Sequence, residues 1–289
     1  MLLEKEFSLL YYLLHHAGAF ESQRDLAKKL CLSLGSVNSL LKQSAANGWI
    51  ADKRLTLKGE KALAPYKVDN AVIMAAGSGT RLAPLSYDQP KGLLVVKGEL
   101  LIERQIRQLQ MAGIKDITVV VGYMKEKFFY LAEKFNVKIV TNSDYYRYNN
   151  TSTLMCVLDS LKNTYICSSD NYFVENVFED YVYQPYYAAV KTVGKTDEYC
   201  LTFDRKGKII SVVIGGQDSW YMLGQPYFSR DFRRQFQQIL QSEYQRPITR
   251  TELWENVYMR HLDVLELFIK KYPQNVILEF DSLDELRKF

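Results

Sequence analysis

The chain has 289 residues, 47% hydrophobic and 13% aromatic, which excludes a disordered protein and allows one large domain or two modest ones. Its four cysteines lack metal-ligand spacing, the N-terminus lacks a signal-peptide pattern, and no apolar run reaches the roughly 18 residues of a membrane span. We therefore expect a cytoplasmic protein without membrane insertion. Residues 1–67 carry ten Lys/Arg and six Asp/Glu, whereas residues 68–289 carry 27 of each, which predicts two domains with these bounds.

Residues 1–67 have the pattern of a small helical module. Apolar residues at helical spacing predict a first helix over the opening segment, closed by Gly18. Ser22 can cap a second helix, the segment LSLG makes a short turn, and Ser36 starts a third helix. The segment RLTLKGEKAL then predicts a short strand and a closing turn. This order resembles a winged helix-turn-helix.

The module would present polar and basic residues outward, on its third helix and on its wing. These residues are Ser36, Asn38, Ser39, Lys42, Lys53 and Arg54. Basic side chains of this kind bind DNA through phosphate contacts. A net charge of +4 is small for a DNA-binding domain, so docking onto a neighbouring domain or formation of a homodimer is also open.

From Val68 onward, apolar strands alternate with helices. The predicted strands are AVIMAAG, DITVVVGY, VKIVTN and TYICSSDN, and the predicted helices are LLIERQIRQLQMAG, KEKFFYLAEKF and STLMCVLDSL. Later segments predict longer, partly antiparallel strands with a hairpin at DRKGK, then a strand NVILEF and a capped helix DSLDELRKF. We expect an α/β fold: a mixed, mostly parallel Rossmann-like sheet with helices on both faces, plus the small N-terminal domain.

The segment AAGSGTRLAPLSYDQPK, residues 75–91, directly follows the first strand of this predicted sheet. Ligands bind at that carboxyl edge in open α/β sheets. Glycines 77 and 79 allow main-chain N–H groups to approach an anion closely, and Arg81 and Lys91 add positive charge. The segment matches neither the Rossmann fingerprint nor a P-loop, because Arg81 and Pro84 interrupt the helix and no Gly-Lys-Ser/Thr ends it.

The loop closely resembles the signature G-x-G-x-R-x-x-P-(x)n-P-K-x-L of sugar-1-phosphate nucleotidylyltransferases and their relatives in the nucleotidyltransferase superfamily. The matching residues are Gly77, Gly79, Arg81, Pro84, Pro90, Lys91 and Leu93. In that family the loop wraps the nucleotide triphosphate, so the resemblance implies catalytic roles for Arg81 and Lys91. The implied nucleotide-binding residues are Ala75, Ala76, Gly77, Ser78, Gly79, Thr80, Arg81 and Lys91. Asn149 and Asn150 either bind the nucleotide or fix a turn.

A second resemblance narrows the expected acceptor. The segments NSDYYRYNNTSTL, SSDNYFVENVF, DEYCLTF, LWENV and ILEFDSLDELRK look like those of bacterial choline-phosphate cytidylyltransferases, over about residues 70–289. This likeness implies transfer of a cytidylyl group from CTP to phosphocholine, giving CDP-choline and pyrophosphate, for phosphocholine decoration of cell-surface glycans. Phosphocholine is already anionic at neutral pH, since its second phosphate pKa is near 6, so no general base is needed.

The resemblance also implies a Mg²⁺ site. In the family, the aspartate that ends the strand in CSSDN binds Mg²⁺, and here that residue is Asp170. A carboxylate facing a triphosphate would be repelled unless it held a cation. Asp281, just after an apolar strand, would be the partner ligand, although it could instead be a helix N-cap. Asp170 could alternatively be a turn aspartate.

A choline head group is a quaternary cation without hydrogen-bond donors, so aromatic faces and nearby carboxylates must recognise it. The residues expected to bind it are Tyr199, Trp254, Glu255 and Glu279, with Trp220 and Tyr221 as further candidates. Family members tend to carry tryptophan where this chain has Tyr199 and aspartate where it has Glu255. These departures change the size of the pocket and leave the exact amino-alcohol open, and any one of the rings could instead be a core residue.

Two other functions stay open at this stage. A sugar-1-phosphate nucleotidylyltransferase would share the loop, but tyrosine and tryptophan predominate here where a sugar would need polar residues. A transcriptional regulator could use the second domain to sense a nucleotide or a choline metabolite. The presence of Gly77, Arg81, Lys91 and Asp170 argues against loss of catalysis.

Overall fold

The computed structural model describes residues 1–16, 20 and 22–280. The helices are α1 (Glu4–His15), α2 (Gln23–Lys29), α3 (Leu34–Ala46), α4 (Leu57–Leu63), α5 (Leu85–Asp88), α6 (Leu101–Met111), α7 (Tyr130–Phe135), α8 (Asn150–Met155), α9 (Arg230–Glu243), α10 (Pro247–Thr251) and α11 (Trp254–Arg260). The strands are β1 (Ile50–Ala51), β2 (Arg54–Leu55), β3 (Asn70–Ala75), β4 (Val95–Val96), β5 (Glu99–Leu100), β6 (Ile117–Val121), β7 (Lys138–Thr141), β8 (Thr164–Ser168), β9 (Asn171–Phe173), β10 (Tyr186–Lys191), β11 (Lys195–Phe203), β12 (Ile209–Gln217), β13 (Trp220–Phe228), β14 (Phe268–Tyr272) and β15 (Ile277–Glu279).

The chain divides into two compact units. The first comprises Met1–Lys67 together with Tyr181–Tyr183, and the second comprises Val68–Asp180 and the described residues from Gln184 onward. Within the described residues, no helix is long and apolar enough to cross a membrane.

The first unit contains three helices, a two-stranded hairpin and a fourth helix. Ser22 caps α2 as predicted, because its hydroxyl accepts a hydrogen bond from the backbone N–H of Asp25 at 3.2 Å. The third helix begins at Leu34, two residues earlier than predicted, because Ser33 caps it by accepting from the N–H of Ser36 at 3.1 Å. Ser36 is therefore half-buried in the first turn rather than outward-facing. The predicted stop at Gly18 lies outside the described residues.

The segment after the hairpin was wrongly predicted as a closing turn. It forms α4, which starts because the Thr56 hydroxyl accepts from the N–H of Gly59 at 3.1 Å. Gly59 is packed so tightly that an added Cβ would lie 2.3 Å from the carbonyl oxygen of Trp49. The unit's aromatic contacts include Phe7, whose ring centroid lies 5.2 Å from that of Tyr66 and 5.5 Å from that of Tyr183.

The second unit is built on a nine-stranded mixed sheet in the described residues, which confirms the predicted fold class. The path of the sheet is β12-β11-β13-β8-β3-β6-β7, and β10 pairs with β13 and β14. Strands β8, β3, β6 and β7 are mutually parallel, as their continuous apolar runs predicted. The hairpin predicted at DRKGK is confirmed, because β11 and β12 pair antiparallel around it.

One large hydrophobic core fills the space between this sheet and helices α8, α9 and α11. Its rings include Phe228, Phe232, Phe236 and Trp254, and the last of these is fully buried. Helix α9 was not predicted from the sequence, although Ser229 is a suitable cap. Its hydroxyl accepts a hydrogen bond from the N–H of Phe232 at 3.3 Å. Because β3, β6, β7 and β8 are parallel, their carboxyl ends meet at one edge of the sheet, where ligands bind in open α/β folds.

Candidate active site

A cavity of about 670 Å³ opens at this edge of the sheet. Its walls are residues 76–82 after β3, residues 145–150 after β7 and residues 168–170 after β8, together with Lys91 and a few neighbours. All of the predicted nucleotide-binding residues line it except Ala75, which is buried as the last residue of β3. Gly79 has a φ of +62°, a conformation that favours glycine, whereas an added Cβ at Gly77 would meet only open space.

Lys91 and Asp170 form an ion pair inside this cavity. The Nζ of Lys91 lies 2.6 Å from Oδ2 of Asp170, and the two side chains are only 12% and 19% exposed. The second carboxylate oxygen of Asp170, Oδ1, is buried and has no hydrogen-bond partner. Lys91 Nζ also lies 3.9 Å from Oε1 of Glu279. The lysine that the signature marks is therefore held between two carboxylates.

Two glycines that the sequence analysis did not single out bring these walls together. An added Cβ at Gly92 would lie 2.9 Å from Cβ and 3.0 Å from Oγ of Ser169, so only glycine lets the Lys91 segment pack against the segment that carries Asp170. An added Cβ at Gly122 would lie 2.7 Å from the Tyr145 side chain and 2.8 Å from the Ala76 carbonyl oxygen. The position of Gly92 directly after Pro-Lys was the available signal for its role.

Asn149 and Asn150 line the cavity, and both also have protein partners. The side-chain oxygen of Asn149 accepts from the N–H of Asn150 at 2.8 Å, which caps α8. Asn150 connects α8 to the start of α11: its Oδ1 accepts from the N–H of Trp254 at 2.8 Å, and its Nδ2 donates to Glu255 Oε2 at 3.2 Å. Asn150 thus joins the cavity wall to the predicted head-group residues.

Glu255 is a buried carboxylate whose hydrogen-bond donors are neutral. Its Oε1 accepts from the hydroxyl of Tyr187 at 3.1 Å, and its Oε2 accepts from Asn150. Among the described residues it makes no salt bridge, and burial raises the pKa of this carboxyl above its usual value. Burial first, and then the charge of Glu255, also raise the pKa of the nearby Tyr199 hydroxyl, which donates to Asn256 Oδ1 at 3.3 Å.

None of the predicted head-group residues Tyr199, Trp254, Glu255 and Glu279 lines the cavity. For Trp254, burial corrects the prediction that it contacts the head group. Its side chain is fully buried, because Tyr187 stacks on it with a centroid distance of 5.8 Å and Phe228 and Phe236 meet it edge-on. Tyr187 takes the place next to Glu255 that the sequence analysis had given to the tryptophan. Tyr187 belongs to the later segments that were predicted only as strands, so no local signal distinguished it from a core residue.

Glu279 lies near the nucleotide end of the site. It ends β15 and pairs in register with Asn171, the residue after Asp170. The charge of Glu279 also contributes to the raised pKa of Tyr187, of which burial is the main cause and Glu255 the next. Glu279 therefore interacts electrostatically both with Lys91 and with Tyr187. Asp281, the predicted second metal ligand, lies outside the described residues.

An open α/β sheet whose first strand leads into a glycine loop, with a lysine and an aspartate at its edge, is the arrangement expected of a nucleotidyltransferase. The MobA-like NTP transferase domain family matches this chain over residues 71–253. The chain belongs to that family and, within it, to the cytidylyltransferases, as its relatives show. The resemblance noted from the glycine loop is thereby confirmed.

Two relatives are similar over nearly their whole lengths. The 2-aminoethylphosphonate cytidylyltransferase of Lancefieldella rimae is 36% identical over 224 residues, which cover 76% of this chain and 91% of that protein. The choline-phosphate cytidylyltransferase of Streptococcus pneumoniae is 32% identical over 218 residues, covering 75% and 95%. The solved structure of the CTP:phosphocholine cytidylyltransferase from Streptococcus pneumoniae superposes with a TM-score of 0.74, covering 76% of this chain and 96% of that one at 32% identity.

Proposed function

We propose that this protein transfers a cytidylyl group from CTP to phosphocholine, with Mg²⁺, and that CDP-choline and pyrophosphate are the products. The observation that carries the choice of acceptor is Glu255. A buried carboxylate without a cationic partner is costly in a free protein, and its charge is best compensated by a cationic ligand. Glu255 is one hydrogen bond from the cavity wall through Asn150, beside the tyrosine rings at 187 and 199.

The nucleotide end of the site supports phosphoryl transfer by positioning and electrostatics. A phosphate oxygen of phosphocholine attacks the α-phosphorus of CTP, the bond to the bridging oxygen breaks, and pyrophosphate leaves with the developing charge. Lys91 and Arg81 both line the cavity and would stabilise that charge. No side chain has to remove a proton from the dianionic acceptor, and this is consistent with the absence of histidine from the cavity walls that the structure describes.

Asp170 fits a role as Mg²⁺ ligand. Its Oδ1 is buried and unpaired, and Mg²⁺ at nucleotide sites is usually held by one or two carboxylates, substrate phosphates and waters. Mg²⁺ would neutralise phosphate charge when bound. Among the described residues, no three His, Cys, Asp or Glu side chains group to hold a metal. Asp281 stays a predicted second ligand.

A second candidate acceptor is 2-aminoethylphosphonate, which the relative from Lancefieldella rimae is named for. Its primary ammonium would donate hydrogen bonds to Glu255, whereas the trimethylammonium of choline would lie against the half-buried ring of Tyr199. The second arrangement is favoured because the ring of Tyr199 lies near Glu255, and aromatic faces bind quaternary ammonium groups. The CDP-choline that this protein would produce would be the phosphocholine donor for decorating cell-surface glycans.

The test is pyrophosphate release with four NTPs against phosphocholine, phosphoethanolamine, 2-aminoethylphosphonate and glucose 1-phosphate. We expect CTP and phosphocholine to give the highest kcat/KM. Preference for 2-aminoethylphosphonate or phosphoethanolamine would refute the choline assignment, and preference for glucose 1-phosphate would refute a cationic pocket altogether.

The role of Glu255 is tested separately with Glu255→Gln. A hydrogen bond or contact to a charged group contributes about 1.5–3 kcal/mol, so KM for the acceptor should rise roughly ten- to a hundredfold. KM for CTP should change little. The matched control is Glu266→Gln, which removes an exposed carboxylate that pairs with Lys208 at the surface.

A further inference from the structure

The first unit contains two consecutive helices in a fixed arrangement. Helices α2 and α3 are joined by residues 30–33, and the N–H of Leu32 donates to the Ala27 carbonyl at 2.9 Å. Val37 and Leu40 of α3 are buried in the same core as Leu26 of α2. One side of α3 is thereby held against the unit, which leaves the opposite side for solvent.

The end of α3 is bonded to the β1–β2 hairpin. The N–H of Trp49 donates to the Ser44 carbonyl at 2.9 Å, and the Thr56 hydroxyl donates to the Gly48 carbonyl at 2.7 Å. Asp52 and Lys53 form the hairpin turn, with φ values of 48° and 62°. These bonds hold the turn at a set position relative to the helix, so the two can contact one ligand together.

The solvent side of α3 is polar and carries no negative charge. We call Asn38, Ser39, Lys42 and Gln43 the α3 face; all four are exposed. Gly35 and Ala46, also exposed, lie on the same side of the helix and leave room for close approach. The thirteen residues of α3 include no Asp or Glu. The helix therefore presents no charge that would repel an anionic partner.

The hairpin turn and α2 carry further exposed cations of the same unit. Lys53 and Arg54 are exposed on the hairpin, and Arg24 and Lys28 are exposed on α2. Asp52 is the exposed acid of the turn. Apart from Leu34 in its first turn, which is 44% exposed, α3 carries no exposed large apolar side chain. A polar, basic surface of this kind fits a nucleic acid better than an apolar protein surface.

We propose that the first unit binds duplex DNA, with α3 in the major groove and the β1–β2 hairpin against the phosphate backbone. Asn38 and Gln43 have the amide groups that pair with adenine edges, and Lys42 can pair with guanine or phosphate. Lys53 and Arg54 contact phosphates, which supply affinity without sequence preference. This function is independent of cytidylyl transfer.

The experiment is fluorescence anisotropy of a labelled random-sequence duplex, titrated with the full chain at several salt concentrations. We expect a Kd on the order of 10⁻⁴ to 10⁻⁶ M at physiological salt. The double variant Lys53→Gln/Arg54→Gln should reduce the slope of log K against log salt by about 1.8, since each phosphate contact contributes about 0.9. The matched double variant Lys5→Gln/Lys61→Gln, on α1 and α4, should keep the full slope.

Base contacts are tested by selecting bound sequences from a randomised duplex library. Asn38→Ala should relax the selected sequence while leaving the salt slope unchanged, and all of these variants should keep wild-type cytidylyl transfer. Binding that disappears in Lys91→Ala or with excess CTP would place the DNA in the nucleotide cavity and overturn the proposal. No binding at low salt would also overturn it. The proposal would also be overturned if the protein formed a dimer without DNA and the Lys42→Glu variant were monomeric. The α3 face would then be an interface between two copies of the chain.

Discussion

Gly92 provides the sharpest test of how the candidate site is assembled. It is not among the glycines with positive φ, so alanine is allowed there by the backbone. The obstacle is steric, because an added Cβ would lie 2.9 Å from Cβ of Ser169, whereas ordinary contacts begin at 3.4 Å. Gly92→Ala must therefore move one of two buried segments by about 0.5 Å.

The cost follows from that displacement. Overpacking a buried contact destabilises by about 1–3 kcal/mol, which lowers Tm by roughly 2–12 °C for a unit of this size. The same shift separates Lys91 from Asp170, whose contact is 2.6 Å. Because a misplacement of about 1 Å can cost about a hundredfold in rate, a shift of half that size should lower kcat about tenfold.

The assay is Tm by scanning calorimetry and kcat by pyrophosphate release, with Ser169→Gly as the second mutation of a double-mutant cycle. The two closest atoms to the added Cβ belong to the Ser169 side chain, so Gly92→Ala/Ser169→Gly should recover most of both losses. Wild-type Tm and kcat in Gly92→Ala would contradict the steric clash. So would a double variant in which Ser169→Gly recovers neither the Tm nor the kcat.

Three further predictions concern the charged residues. Lys91→Ala should lower kcat by on the order of 10² to 10³, since it removes a charge that acts on the leaving group; a rise in acceptor KM alone would make it a binding residue instead. Asp170→Asn should abolish turnover without loss of fold, because an amide cannot replace an anionic Mg²⁺ ligand, and near-wild-type rates would contradict this. Burial raises the pKa of the Glu255 carboxyl, so this group holds its proton more tightly in the native state than in the unfolded state. The free energy of unfolding should therefore fall as the pH rises above 4.5, the usual pKa of a glutamate. Glu255→Gln should lack this fall, and identical Tm-against-pH curves for both proteins would show that the carboxylate is not destabilised by burial.

Local patterns predicted most of the architecture. The continuous apolar runs of β3, β6 and β8 indicated buried parallel strands, because only a sheet covered on both faces buries every side chain of a strand. Helix α6 ends where predicted, since Gly113 adopts a φ of +81° that favours glycine. Helix α4 was missed because its cap, Thr56, directly follows a strand and the segment was interpreted as turn.

The glycine loop and its place after the first strand of the sheet were predictable from the sequence alone, because glycine, arginine and lysine at this spacing act in the same way in any sheet of this class. The aromatic residue that adjoins Glu255 was not predictable in this way, because long-range packing sets it. Trp254 directly precedes Glu255 in the sequence, whereas Tyr187 lies in an apolar strand 68 residues away from it. The packing of α11 against the sheet buried the tryptophan completely and placed the tyrosine hydroxyl 3.1 Å from the carboxylate. Burial is set by contacts between segments far apart in the chain, which no local pattern records.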